Sequence, residues 1–332
     1  MTHDGDSKPR PRSGCTIHPA DEGAIARAGE RLRSGALVAF PTETVYGLGA
    51  DARNGEAVAR IFQAKGRPRF NPLIVHVPDL AQAVEIGQIS KRAERLALAF
   101  WPGPLTLVVE RRAGCGVSDL VSAGLPTIAI RVPDHPVARA LLRAADRPLA
   151  APSANRSGHV SATRAEHVAR DFAQHNLMII DGGPTAFGLE STIVGVTGDN
   201  AVLLRSGAIE TGVIEQVLGR SLLRSGEVGD RPNAPGQLAS HYAPRAHLRL
   251  NVTEVRADEA LLAFGAVVPA SRGQIINLSL RANLIEAAAN LFASLRALDD
   301  AGTGAIAVMP IPDEGLGEAI NDRLRRAAAP RA

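Results

Sequence analysis

Aromatic residues are scarce, at 3% of a chain of 332 residues. That argues against an RNA module built on stacking platforms of Phe, Tyr or Trp. The two cysteines, Cys15 and Cys115, have no metal-site or redox spacing and cannot form a disulfide framework. No uncharged apolar run reaches the ~18 residues of a membrane-spanning helix. The opening MTHDGDSKPRPRSG carries no hydrophobic stretch of the secretory kind. These absences predict a cytoplasmic protein with reduced thiols and no membrane association.

Several catalytic signatures are also missing. No Gly-Lys pair occurs, which excludes a Walker A loop, and neither G-x-S-x-G nor H-E-x-x-H is present. The histidines lack ligand spacing, so no metal cage is expected. GLGADA (Gly47 to Ala52) fits a dinucleotide fingerprint in letters only. PTETVY separates it from the preceding strand, no helix opens directly on it, and KGRPRF stands where an acidic residue should follow about 20 residues on. The net charge of +3 keeps the protein soluble without pointing to nucleic acid.

What is present is an ordinary globular composition, 45% hydrophobic and 21% charged, long enough for two domains. Residues 1–18 read as a flexible tail. In 19–220, short apolar runs alternate with helical patterns. ALVAF, LIVHV, LTLVVE, TIAIRV, LMIID, TIVGV and AVLLR read as strands. Asn54 and Asp134 mark helix starts, and Thr163 with Glu166 matches a capping box. Residues 221–246, rich in Gly and Pro, read as a linker that doubles as a functional loop. In 247–332 the strands LLAFG, QIINLS and AIAVMPI alternate with helices. The segment Arg281 to Leu298 sets Leu284, Ile285, Ala288, Leu291, Phe292, Leu295 and Leu298 on one helical face. The fold class is α/β, a mixed-sheet domain followed by a smaller parallel-sheet domain.

Polar clusters fall at the ends of the predicted strands. PTETVYGLG crowds Thr42, Glu43, Thr44 and Tyr46 into one turn. KGRPRFNPLIVH sets Lys65, Arg67 and Arg69 on a Pro-stiffened loop suited to phosphate, with Asn71 and His76 alongside. A polar turn, a solvated basic loop and a core histidine are the plainer explanations of these features. Arg131 sits in the otherwise apolar TIAIRV, where a charge must be paired or face a ligand. APSANRSGHVSAT, DGGPTAFGLESTIV and LLRSG add small hydroxyl and amide groups with Ser191 and Arg205. Cations and hydroxyls with no nucleophile–base pair describe a site that binds and orients a polyanion.

In this order, PTETVYGLG, KGRPRFNPLIVHV, WPGPLTLV, IAIRVPDHP, APSANRSG, DGGPTAFGLESTIV, LRSGAI, HYAP and GLGEAINDRLRRAA resemble the threonylcarbamoyl-AMP synthase family, the YrdC-type proteins, in its long form. The resemblance implies a YrdC-type twisted sheet and a second Rossmann-like domain that binds no dinucleotide. It implies a nucleotidyltransferase that forms threonylcarbamoyl-AMP and pyrophosphate from L-threonine, bicarbonate and ATP, for later use by tRNA-modifying proteins. By position it assigns Thr44, His76, Arg131, Ala151 and Ser191 to threonine. Lys65, Arg67, Asn71, Thr127, Ser153, Ser161, Arg205 and Tyr242 go to ATP. Tyr242 would belong to a lid. Mg²⁺ is expected on the nucleotide, since no carboxylate cluster offers a cage. Two departures stand out: Leu238 lies where the linker usually carries a basic residue, and Ser206 replaces a usual Pro. The competing readings are a non-catalytic, weakly RNA-binding module and a carbamoyl-phosphate-dependent transferase. The latter class carries zinc-binding regions, and this chain has no cysteine pairs to supply them.

Overall fold

The structure, a computed structural model, describes residues 14–224, 235 and 240–330. Its larger part is a 12-stranded mixed sheet. In spatial order the strands are Thr16–Pro19, Met178–Asp181, Val38–Phe40, Gly47–Asp51, Leu149–Ala150, Ile74–His76, Thr127–Arg131, Leu105–Arg111, Thr192–Gly195, Val202–Arg205 and Leu223–Arg224, with Gly87–Gln88 on Leu105–Arg111. Alternation along these strands separates two environments. Ile128 and Ile130 enter the main core beneath the sheet with Val75, Leu107 and Val109. Thr127, Ala129 and Arg131 alternate with them, and Ala129 joins Ile74, Val108 and Ile193 in a small apolar cluster on the other face. That second face carries the candidate chemistry.

Register sets the neighbours. Ile74–His76 and Thr127–Arg131 run parallel with His76 opposite Arg131. Leu149–Ala150 runs antiparallel to Ile74–His76, and the Ala151 N–H donates to the Ile74 carbonyl at 3.0 Å. The chain leaving that strand is tied to the next one by an isolated bridge between Gly47 and Ser153.

The second sheet has 4 strands, ordered His247–Arg249, Ala305–Val308, Glu259–Ala263, Ile275–Asn277, and all its pairings are parallel. Helices Leu284–Asp300 and Leu316–Ala328 pack on it. Val45, Val160 and Leu189 of the first part are buried in this second core. Arg296 reinforces the junction with a nearly buried ion pair to Asp171 at 2.7 Å.

Several expectations need correction. Thr16–Pro19 is a strand against Met178–Asp181, so the tail ends sooner than residue 18; the rest of it, residues 1–13, lies outside the described residues. Leu223–Arg224 pairs with Val202–Arg205, so the first sheet extends past residue 220. Most of the expected linker, Leu238 included, lies outside the described residues. GLGAD is itself a strand, which disposes of a dinucleotide loop; a Cβ on Gly49 would stand 2.7 Å from the Phe40 ring. The capping box does not form: Thr163 precedes the N-cap Arg164, and its N–H donates to His167 Nδ1 at 3.2 Å. Asn54 does cap its helix, accepting from Glu56 and Ala57, whereas His135 takes the cap expected near Asp134. Ile285 is 63% exposed, off the buried face that Leu291, Phe292, Leu295 and Leu298 share, because it sits in the first turn before the helix reaches the core.

Candidate active site

The TETVY turn is built around one hydroxyl. Thr42 Oγ1 donates to the Val45 carbonyl at 2.6 Å and accepts the Thr44 and Val45 N–H groups, which points Thr44 across the sheet face. There Arg131 Nη1 donates to Thr44 Oγ1 at 2.9 Å and Nη2 to Glu43 Oε1 at 2.6 Å, while Nε donates to the Gly103 carbonyl at 3.3 Å. The buried charge in an apolar strand is therefore paired, as burial requires. His76 lies beside it, with Nδ1 buried and unpartnered among the described residues. Burial, and then the Arg131 charge, pushes its imidazole down to about 3, so the ring is neutral at physiological pH.

The phosphate-suited loop folds onto itself. Arg67 donates to the Asn71 Oδ1 at 2.7 Å and to the Asn71 and Pro72 carbonyls, and burial lowers it to about 10. Lys65, pushed well below its ordinary value by burial and then by Arg67, holds the Ser153 and Asn155 carbonyls and so shapes the APSAN loop. Opposite, Arg205 donates from Nε and Nη2 to the Ser191 carbonyl and from Nη2 to Ser191 Oγ at 3.1 Å. The LRSG loop can come so close because of Gly207: a Cβ there would meet the Glu190 carbonyl at 2.4 Å. Ser191 Oγ also shares a hydrogen bond of 2.7 Å with Thr106 Oγ1.

These groups line one cavity with about 540 Å³ of empty space, part of it open to solvent. Thr44, His76, Arg131, Ala151 and Ser191 adjoin Arg67, Ser153, Arg205 and Tyr242 on its walls. Asn71 and Lys65 stand behind the wall, supporting Arg67 and Ser153. Ser161 also stands behind, donating to Glu190 Oε1 at 2.5 Å. Thr127 is apart: it shares the face of Arg131 but lies at the other end of that strand, opposite Glu110.

Sequence reasoning assigned no role to Glu190, His241 or Arg323. Glu190 lines the cavity and accepts from Arg323 Nε at 2.9 Å. His241, also on the wall, is buried and kept neutral by burial and the surrounding cations, its Nδ1 without a partner among the described residues. Its place beside Tyr242 in HYAP was the available signal. Tyr242 adopts a φ of 63°, a conformation a tyrosine keeps only where its surroundings hold it. It stacks on Phe292 of the second domain, centroids 5.5 Å apart. Among the described residues no group of three His, Cys, Asp or Glu could hold a metal ion.

The chain is similar to known proteins along most of its length. A family model described as telomere recombination, covering Sua5, YciO and YrdC, matches residues 30–207, and one described as threonylcarbamoyl-AMP synthase, C-terminal domain, matches residues 209–329. The threonylcarbamoyl-AMP synthase of Bacillus subtilis is 42% identical over 330 residues, covering 92% of this chain and 93% of its own. That of Pyrococcus abyssi is 40% identical over 324 residues, covering 93% and 95%. The crystal structure of P. abyssi Sua5 complexed with L-threonine matches with a TM-score of 0.87 at 38% identity, over 95% of this chain and 97% of that one. With one model spanning the mixed-sheet part, another the C-terminal part, and relatives alike over nearly their whole length, the chain belongs to the threonylcarbamoyl-AMP synthase family in its two-domain form.

Proposed function

We propose that this cavity holds L-threonine and ATP side by side and joins them through bicarbonate, giving threonylcarbamoyl-AMP and pyrophosphate. The chain is a nucleotidyltransferase by family. One observation carries the assignment of its site: the Arg131–Thr44–His76 group and the Arg67–Ser153–Arg205 group line the same cavity. The L-threonine in the P. abyssi structure, a near-full-length match, supports the threonine side of this reading.

The chemistry follows from the residues. Arg131 meets the threonine carboxylate, because a guanidinium donates two parallel hydrogen bonds to a carboxylate. His76 is neutral and can accept an N–H from the substrate amine, which orients it. The amine nitrogen bonds to the carbon of bicarbonate, water leaves, and a carbamate results. A carbamate oxygen then attacks the α-phosphorus of ATP, and the bond to pyrophosphate breaks. A carbamate is short-lived in water, so holding it against the phosphorus in a shielded cavity is the main catalytic contribution. Arg67 and Arg205 neutralise charge on the phosphates as it moves to the leaving group.

The cavity wall is cationic and hydroxylic and offers no carboxylate cage. Mg²⁺ would therefore arrive on the nucleotide phosphates and add charge neutralisation there. The product passes to tRNA-modifying proteins, a cytoplasmic role consistent with the lack of any described helix long and apolar enough to cross a membrane. Release of pyrophosphate from ATP should require both threonine and bicarbonate. Retention of RNA with steep salt dependence and no such release would favour a nucleic-acid-binding module instead.

A further inference from the structure

Glu190 is out of place. It is a buried carboxylate on the wall of a cavity otherwise suited to phosphate, where a negative charge would repel the ligand. The second domain resolves the conflict. Arg323, on helix Leu316–Ala328, is fully buried and does not line the cavity; it reaches Glu190 from behind. Its Nε donates to Glu190 Oε2 at 2.9 Å and its Nη2 to the Ser206 carbonyl at 2.9 Å, while Nη1 pairs with Asp322 at 2.6 Å. Its guanidinium carbon also lies 5.1 Å from the centre of the Tyr242 ring.

One side chain of the second domain thus touches three parts of the cavity wall. Glu190 holds Ser161 through its other oxygen, Ser206 directly follows Arg205, and Tyr242 closes one side. Burial pushes the Glu190 carboxyl up, but Arg323 and Arg205 more than offset it and hold the group below its ordinary value. The carboxylate is charged, and its charge is balanced from behind the wall by Arg323 as well as from the wall by Arg205.

We propose that Arg323 is a positioning residue for the nucleotide: from the second domain it offsets the Glu190 charge, fixes the loop of Arg205, which faces the phosphates, and through Glu190 holds Ser161 behind the wall. This rests on the assignment of that side of the cavity to ATP. The second domain then does more than hold the linker, because the larger domain alone would offset Glu190 only with Arg205, a cation the phosphates also need.

The test uses the full chain and steady-state pyrophosphate release, with ATP and threonine varied separately. Threonine-dependent release by the unaltered protein must come first; without it the functional assignment itself fails. Arg323→Met should raise the KM for ATP by about tenfold or more and that for threonine far less. Arg323→Lys keeps the charge and should recover part of the loss. In the double variant Arg323→Met with Glu190→Gln the Glu190 charge is gone and Asp322 keeps its ion pair with Arg326, so it should bind ATP better than Arg323→Met alone. A structural role alone would lower the active fraction, so kcat would fall with both KM values unchanged and Glu190→Gln would not rescue. Either that pattern or a double variant no better than Arg323→Met overturns the proposal. Should Arg323→Met not fold, Arg323→Lys and the double variant carry the comparison: a KM for threonine raised as much as that for ATP in Arg323→Lys, or a double variant that also fails to fold, overturns it equally.

Discussion

Arg131 Nη2 and Glu43 Oε1 lie 2.6 Å apart, with the two side chains only 4% and 8% exposed. Each terminal guanidinium nitrogen carries two N–H groups. Thr44 takes one from Nη1 and Glu43 one from Nη2, which leaves one on each for a substrate carboxylate. Glu43 therefore fixes the direction of the fork toward the carboxylate proposed to bind it. Glu43→Ala would strand a buried guanidinium, at a cost of about 3 kcal/mol in urea denaturation. The KM for threonine should rise and that for ATP change little. An unchanged denaturation midpoint would contradict the pairing.

His76 gives a pH dependence of definite sign. Its folded-state value of about 3 lies below the 6.5 of an unperturbed imidazole, so the unfolded chain binds the extra proton. The stability this contributes is whole above pH 6.5 and is lost as pH falls toward 3. His167, held to about 4 chiefly by burial, acts in the same direction. Between pH 7.5 and 5.5, His76 alone should cost about 1.4 kcal/mol of unfolding free energy. Urea denaturation at the two pH values checks it, and equal stability would exclude a neutral buried His76.

Arg67 is held by Asn71, with 2.7 Å between Nη2 and Oδ1. Arg67→Ala removes the proposed phosphate partner and should lower kcat/KM for ATP by about 100-fold, whereas Asn71→Ala, which only loosens Arg67, should cost less. Pyrophosphate release reads both, and near-normal turnover in Arg67→Ala would reject the role.

Tyr242 serves the cavity wall and the second core together. Tyr242→Phe keeps the stack on Phe292 and the Arg323 contact, so its stability should be close to that of the unaltered chain. Tyr242→Ala removes a buried ring and should cost about 3 kcal/mol in denaturation. Equal losses in the two would show that the ring is not what the site depends on.

Much of this was legible in the sequence, for physical reasons. Runs such as TIAIRV and LTLVVE name strands because their apolar residues bury on one or both faces. The lone Arg131 among them announced a paired or ligand-facing charge, and the structure supplies Glu43 and Thr44 as partners. Gly47–Asp51 escaped notice because two glycines look like a loop; only the closeness of Phe40 to Gly49 explains why a strand needs one there. The Glu190–Arg323 pair was beyond reach, since its members are 133 positions apart on separate domains and no local pattern joins them. Ser206 shows a second such link: its hydroxyl donates to Glu318 of the same second-domain helix at 2.7 Å, tethering the LRSG loop to that domain.

One cavity is proposed to join three substrates. Incubating the protein with ATP, Mg²⁺, L-threonine and ¹³C-bicarbonate, then weighing the nucleotide products, tests it most directly. The expected product is an adenylate with the mass of threonylcarbamoyl-AMP that carries the isotope, present only with threonine and much reduced when serine replaces it. An unlabelled adenylate, or none while ATP is cleaved, would contradict it.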